Sequence, residues 1–144
     1  IHNSYYRYTG AVDLEQIGED EVYEISLDKT EKARRVNLLL DTIAYLYRDI
    51  RGRREDLKPL FVIGGVYDIK NPVFQNVVNV QDDCISLDGI EGVLYDNIKE
   101  GTLCGIVDGL FHNTREVKER LNATSVQEFF AVLKGRVDSY YESC

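Results

Sequence analysis

The chain has 144 residues, 44% apolar and 29% charged, with only 2 prolines, 11 glycines and 3 cysteines. That is the size of one ordinary domain able to bury a core, and it excludes collagen-like and Pro/Gly-rich disordered chains. No apolar run approaches the roughly 20 residues of a membrane helix, and nothing reads as a signal peptide. Three cysteines (Cys84, Cys104, Cys144) without a CxxC pair predict a reduced, cytoplasmic protein. The sequence lacks methionine and opens on Ile1. The expectation is therefore one domain, residues 1–144, forming the carboxyl-terminal piece of a longer chain.

A net charge of −8 argues against a free-standing nucleic-acid binder, but the charge is unevenly spread. Residues 29–58 hold nine basic side chains against five acids, a net of +4, while the rest of the chain carries −12. Such a local positive segment can steer anionic partners even within an acidic body.

In chain order, residues 4–14 alternate with a period of two, Tyr6, Tyr8, Val12 and Leu14 against Tyr5, Arg7, Thr9 and Asp13, which predicts a strand. Val22–Leu27 is β-like. Asp28 with Glu31 three residues later forms the capping box of a helix. The apolar positions that follow, Val36, Leu39, Leu40, Ile43, Leu46, Tyr47 and Ile50, predict one buried face. Gly52 and the arginines around it then suit a helix end.

Leu60–Val66 is continuously apolar, as in a buried central strand, with Pro59 at its mouth. Gly64-Gly65 within it predicts a bulge or a close backbone approach. Asn71-Pro72 marks a turn, and Val73–Val80 and Cys84–Leu87 are strand candidates. Gly89–Lys99 reads as a short helix, Thr102–Leu110 as a strand and Thr114–Leu121 as a helix. A last helix opens at Ser125, capped with Glu128, and carries Val126, Phe129, Phe130, Leu133 and Val137.

Most chemical constellations fail on spacing. His2 and His112 are the only histidines, and no ligand pair has zinc-site spacing, so no metal or cofactor is expected. Nothing ties a nucleophile to a base, and no catalytic residue is assigned. Gly64-Gly65 lacks the spacing of a phosphate loop. The Tyr5-Tyr6-Arg7-Tyr8 cluster could stack unpaired bases, but two tyrosines in the core and the other two residues on the other sheet face is the better reading. Arg51, Gly52, Arg53 and Arg54, with Lys58, form the strongest candidate. Clustered guanidiniums can grip phosphate oxygens bidentately, and glycine lets a backbone N–H approach the same anion. On local features alone, a solvated basic helix end is equally good.

The order of elements adds to this. The Tyr-rich segment ending in Val12-Asp13-Leu14 is followed by DKTEKARRVNLLLDTIAYLY, the basic turn RDIRGRRED and LKPLFVIGGVYDIKNPVF. Over residues 4–80 this resembles the carboxyl-terminal half of the DevR-type CRISPR-associated family, the guide-RNA-holding backbone subunits of Cascade-like effectors. Residues 81–144 resemble nothing nameable and read as an extension.

The resemblance implies an α+β fold, part of an RNA-recognition-motif or ferredoxin-like core (strand, helix, strand) with additional carboxyl-terminal helices. Its second helix would be Asp28–Arg48 and its last strand Leu60–Val66. It further implies a non-catalytic subunit partnered by guide RNA, by other copies of itself and by other effector subunits, with no membrane. The family's Gly-rich loop falls on Arg51–Arg54, with one glycine where the family commonly has two. Absence of the family's first strand would leave an open sheet edge beside Leu60–Val66 or Tyr5–Asp13, inviting a dimer or strand exchange. The alternative is an acidic protein-interaction module that binds no RNA.

Overall fold

The computed structural model describes residues 5–50 and 53–143, and the side chains of all these except 47–55. Residues 5–13 run without regular structure, where alternation predicts a strand. Alternation makes a strand only when a neighbour supplies a ladder, and among the described residues no strand pairs with this segment. Tyr5, Tyr6 and Tyr8 are all exposed, rather than two of them entering the core.

The β-like run at Val22–Leu27 contributes only β2 (Ile25–Ser26), paired antiparallel with β1 (Glu19–Asp20). Helix α1 (Lys29–Ala44) starts where its cap predicts, the Asp28 carboxylate accepting from the Glu31 N–H at 2.8 Å. Hydrogen bonds from Arg34 and Arg35 pull the Glu31 carboxyl down to about 2.

The helix ends earlier than its apolar spacing predicts. Tyr45 caps it, and its last turn carries no basic residue, so the basic run does not complement a helix dipole. The chain continues into β3 (Tyr47–Ile50), paired with β4 (Arg53–Asp56). Tyr47 and Ile50 fit a helical stripe, but aromatic and β-branched residues suit a strand equally well. A complementary strand two residues later decides between them. Leu39, expected on the buried face, is 42% exposed.

Strand β5 (Phe61–Gly65) lies within the predicted Leu60–Val66. A hairpin follows, β6 (Val80–Gln81) and β7 (Cys84–Ile85), turning on Asp82 and Asp83. Both take positive φ, 53° and 58°, as a two-residue hairpin turn requires. The predicted helix at Gly89–Lys99 is two short helices, α2 (Leu87–Gly92) and α3 (Asp96–Lys99). Then come β8 (Thr102–Ile106), α4 (Thr114–Leu121) and α5 (Val126–Glu142), the last capped by Ser125 as expected. The class is α+β.

Strands β5 and β8 pair antiparallel from Phe61↔Ile106 to Gly65↔Thr102. Beyond β8 there is a single bridge, Gly105↔Thr124, and among the described residues no strand lies beyond β5. So among the described residues β5 pairs on one side only, rather than lying centrally as its continuous apolar run predicts. On one face of this ribbon, Phe61, Ile63, Cys104 and Ile106 pack with Ile90 and Val117, which have no exposed surface. On the other, Val62 and Leu103 meet Phe129, Phe130 and Leu133 of α5, with Leu40 and Ile43 of α1 behind.

Helices α1 and α5 run antiparallel, linked by Lys134 to Asp41 at 2.7 Å and Asn37 to Asp138 at 2.9 Å. The register through Gly64-Gly65 is unbroken, so there is no bulge. The close approach is at Gly65, where a Cβ would lie 2.1 Å from the Gly101 carbonyl oxygen.

Asn113 joins the β6–β7 hairpin to α4. Its Oδ1 accepts from the Ile85 N–H at 2.9 Å and its Nδ2 donates to the Ile85 carbonyl at 2.8 Å, at a residue only 2% exposed. Asn113→Ala leaves both backbone groups unpaired, and each buried orphan costs about 1–3 kcal/mol. A stability loss of about 2–4 kcal/mol is expected in urea denaturation. A loss below ~0.5 kcal/mol would mean that water replaces the amide without penalty.

Candidate nucleic-acid interface

The residues that place the candidate basic cluster are backbone partners in a two-stranded hairpin. The register is Tyr47↔Asp56, Arg48↔Glu55, Asp49↔Arg54 and Ile50↔Arg53. Arg51 and Gly52 connect Ile50 to Arg53 and lie outside the described residues. The residue pattern predicts a turn after a helix for this basic run. The structure instead puts Arg53 and Arg54 at the start of a returning strand.

Register also separates the arginines. Arg54 lies opposite Asp49 and Arg48 opposite Glu55, whereas Arg53 lies opposite the neutral Ile50. Opposite charges at facing positions of a ladder favour the pairing itself. The signal that could have revealed the hairpin is a β-prone run, a two-residue connection containing glycine, and a second run of opposite charge order.

Lys58, the last candidate, follows the hairpin and is half-exposed. Its Nζ lies 3.2 Å from the Asp56 carboxylate, and its backbone N–H donates to Asp56 Oδ1 at 3.0 Å. That backbone hydrogen bond first, and then the Lys58 side chain, hold the Asp56 carboxyl below its ordinary range. Lys58 thus has an intramolecular partner at an exposed site, where such ion pairs contribute little and exchange readily.

Residues 1–88 match the model of the CRISPR-associated negative auto-regulator DevR/Csa2 family. The chain belongs to that family. No curated protein and no solved structure matches it. The DevR/Csa2 match takes in the whole basic segment, α1, the β3–β4 hairpin and β5, and ends within α2. It makes the chain a CRISPR-associated protein, as the texture of residues 4–80 implies.

Two other features of this DevR/Csa2 chain bear on its chemistry. Burial pushes the Cys104 thiol up to about 12, so it stays protonated and is a poor nucleophile. A cleft of about 200 Å³ beside it is bordered by Lys99, Arg120 and Glu128, smaller than the roughly 300–1,000 Å³ of small-molecule sites. Arg120 at its rim is tied to Asp88, Glu91 and Glu116. Among the described residues no group of three His, Cys, Asp or Glu side chains is arranged to hold a metal ion, and no helix is long and apolar enough to cross a membrane.

Proposed function

We propose that this chain is a non-catalytic, guide-RNA-binding backbone subunit of a CRISPR effector complex. It grips the RNA backbone through Arg51, Gly52, Arg53, Arg54 and Lys58 and assembles with further copies along the RNA. The observation that carries the reading is the concentration of positive charge in residues 29–58 of an otherwise acidic chain, inside the region matched to the CRISPR-associated family. Arginines that neutralise phosphates discriminate little between bases and leave base edges free for pairing with a target.

The test is salt-dependent binding to single-stranded RNA. Each phosphate neutralised contributes about 0.7 to the slope of log affinity against log salt. Replacing Arg51, Arg53 and Arg54 by Ala should therefore lower the slope by about two units and weaken binding to every RNA sequence alike. Loss confined to some sequences would indicate base readout instead. A folded triple variant with unchanged affinity and slope would sink the proposal in favour of a protein-interaction module.

A further inference from the structure

Among the described residues the two most exposed large apolar side chains are neighbours, Val22 at 84% and Tyr23 at 75%, on the turn between β1 and β2. The turn holds them in place. The Asp20 carboxylate accepts from the backbone N–H of Val22 at 3.0 Å and of Tyr23 at 3.3 Å, and Glu24 takes a left-handed φ of 54°. Behind it, Ser26 donates to Glu19 at 2.8 Å, the Leu27 N–H donates to the Gly18 carbonyl at 3.1 Å, and Lys32 of α1 pairs with Glu19. Residues 19–26 carry four acids and no base. The result is a preformed acidic knob with two apolar side chains in water, the kind of exposure that marks a contact surface.

Helix α1 carries the counterpart. Leu38, Thr42 and Tyr45 recur at i, i+4 and i+7, so they share one face, with Leu39 beside them. Leu38 is 57% and Tyr45 71% exposed, and the Thr42 hydroxyl already donates to the Leu38 carbonyl at 2.9 Å. One turn earlier, Arg34 at 2.8 Å and Arg35 at 3.1 Å share the single carboxylate of Glu31, which leaves that end of the face net positive.

We propose that the Val22–Tyr23 turn of one copy docks on the Leu38, Leu39 and Tyr45 face of α1 in a second copy, with Glu21 and Glu24 toward Arg34 and Arg35. This deepens the self-assembly part of the proposed function and rests on it. Each surface offers what the other lacks: apolar side chains on both, acids flanking one and bases the other. Within one chain the two do not meet, since Val22, Tyr23, Leu38 and Tyr45 are each more than half exposed. A contact between unlike surfaces runs head to tail and can repeat from copy to copy. The patches are small, which makes the single contact weak and transient. The preformed turn lowers the ordering cost of making it. Copies held side by side on one RNA would meet at millimolar effective concentration, so the contact forms there and not between dispersed copies.

The chain contains no tryptophan, so Tyr23→Trp places a single fluorescent reporter on the knob. The reporter is kept dilute and titrated, without RNA, with the 144-residue chain itself, which is silent at the tryptophan wavelength. Its emission should move to shorter wavelength, with half-saturation in the submillimolar range, as the indole leaves water. Two altered titrants separate the surfaces. Leu38→Glu, an exposed site given a good helix former, should weaken the effect about ten-fold or more. Val22→Ser with Tyr23→Ser removes the knob but keeps the α1 face, and should act as the unaltered chain does. Circular dichroism checks that both titrants fold. No shift with the unaltered chain at millimolar concentration overturns the proposal. So does a Leu38→Glu titrant as effective as the unaltered chain, or a knobless titrant that has lost its effect, since either places the contact elsewhere. If copies nonetheless coat single-stranded RNA, only this contact falls and the assembly reading stands.

Discussion

Gly65→Ala should lower the melting temperature by about 10 °C, whereas the neighbouring Gly64→Ala should leave it unchanged or raise it slightly. A Cβ on Gly65 would sit 2.1 Å from the Gly101 carbonyl oxygen and 3.1 Å from its carbon. Neither side can yield cheaply. Gly65 is the last residue of the β5 ladder, facing Thr102, and Gly101 is held by a hydrogen bond to the Ile98 carbonyl and by Arg136 donating to its oxygen at 2.8 Å. Overpacking against fixed backbone costs about 3 kcal/mol, and for a domain of this size each kcal/mol is worth about 2–4 °C. On Gly64 a Cβ meets only the edge of Phe129 at 4.0 Å, an ordinary contact. Replacing a strand-interior glycine there gains about 0.5–1 kcal/mol of backbone entropy. Equal melting temperatures for the two variants would refute the close approach at β5.

The second large effect is expected at Leu40. It packs against both the Ala33–Val36–Val137–Tyr141 cluster and the Phe129–Phe130–Leu133 cluster, so it is shared by the two apolar groups that join α1 to α5. Leu40→Asp removes those contacts and places a carboxylate between them, an expected loss of about 3–5 kcal/mol that approaches the whole stability of a small domain. Arg34→Ala is the control six residues earlier. Its side chain is 62% exposed and its partner is Glu31 on the same helix, an exposed pairing that contributes little to stability. Urea midpoints that shift equally for the two variants would mean that the buried face of α1 is wrongly assigned.

Where order is decided locally, the sequence was readable. Asp28 and Ser125 each accept a hydrogen bond from the residue three places on, and both helices begin where those signatures lie. Apolar β5 and the core positions Phe129, Phe130, Leu133 and Val137 needed only hydrophobic patterning. Local pattern failed where a distant or absent partner decides. Tyr6, Tyr8, Val12 and Leu14 alternate like a strand, yet they belong to none of the sheets among the described residues. Leu46, Tyr47 and Ile50 keep helical spacing, yet Tyr47 and Ile50 belong to β3 because Arg53–Asp56 can pair with it. The basic cluster was readable as composition, while its setting on a hairpin was not. The hydrogen bonds of Tyr5 and Arg7 lay beyond local reading altogether, since they bridge 71 to 78 residues.

The antiparallel packing of α1 on α5 sets a timetable for synthesis. The Asn37–Asp138 link spans 101 residues and the Tyr141–Leu14 link spans 127. At about 5–20 residues per second, α1 waits roughly 5–20 s on the ribosome before α5 has been made. During that interval Val36, Leu40 and Ile43 have no apolar cover from α5, and β5 has no β8 to pair with. Slow translation or early termination upstream of α5 should therefore leave this apolar face and strand edge exposed to chaperones and proteases.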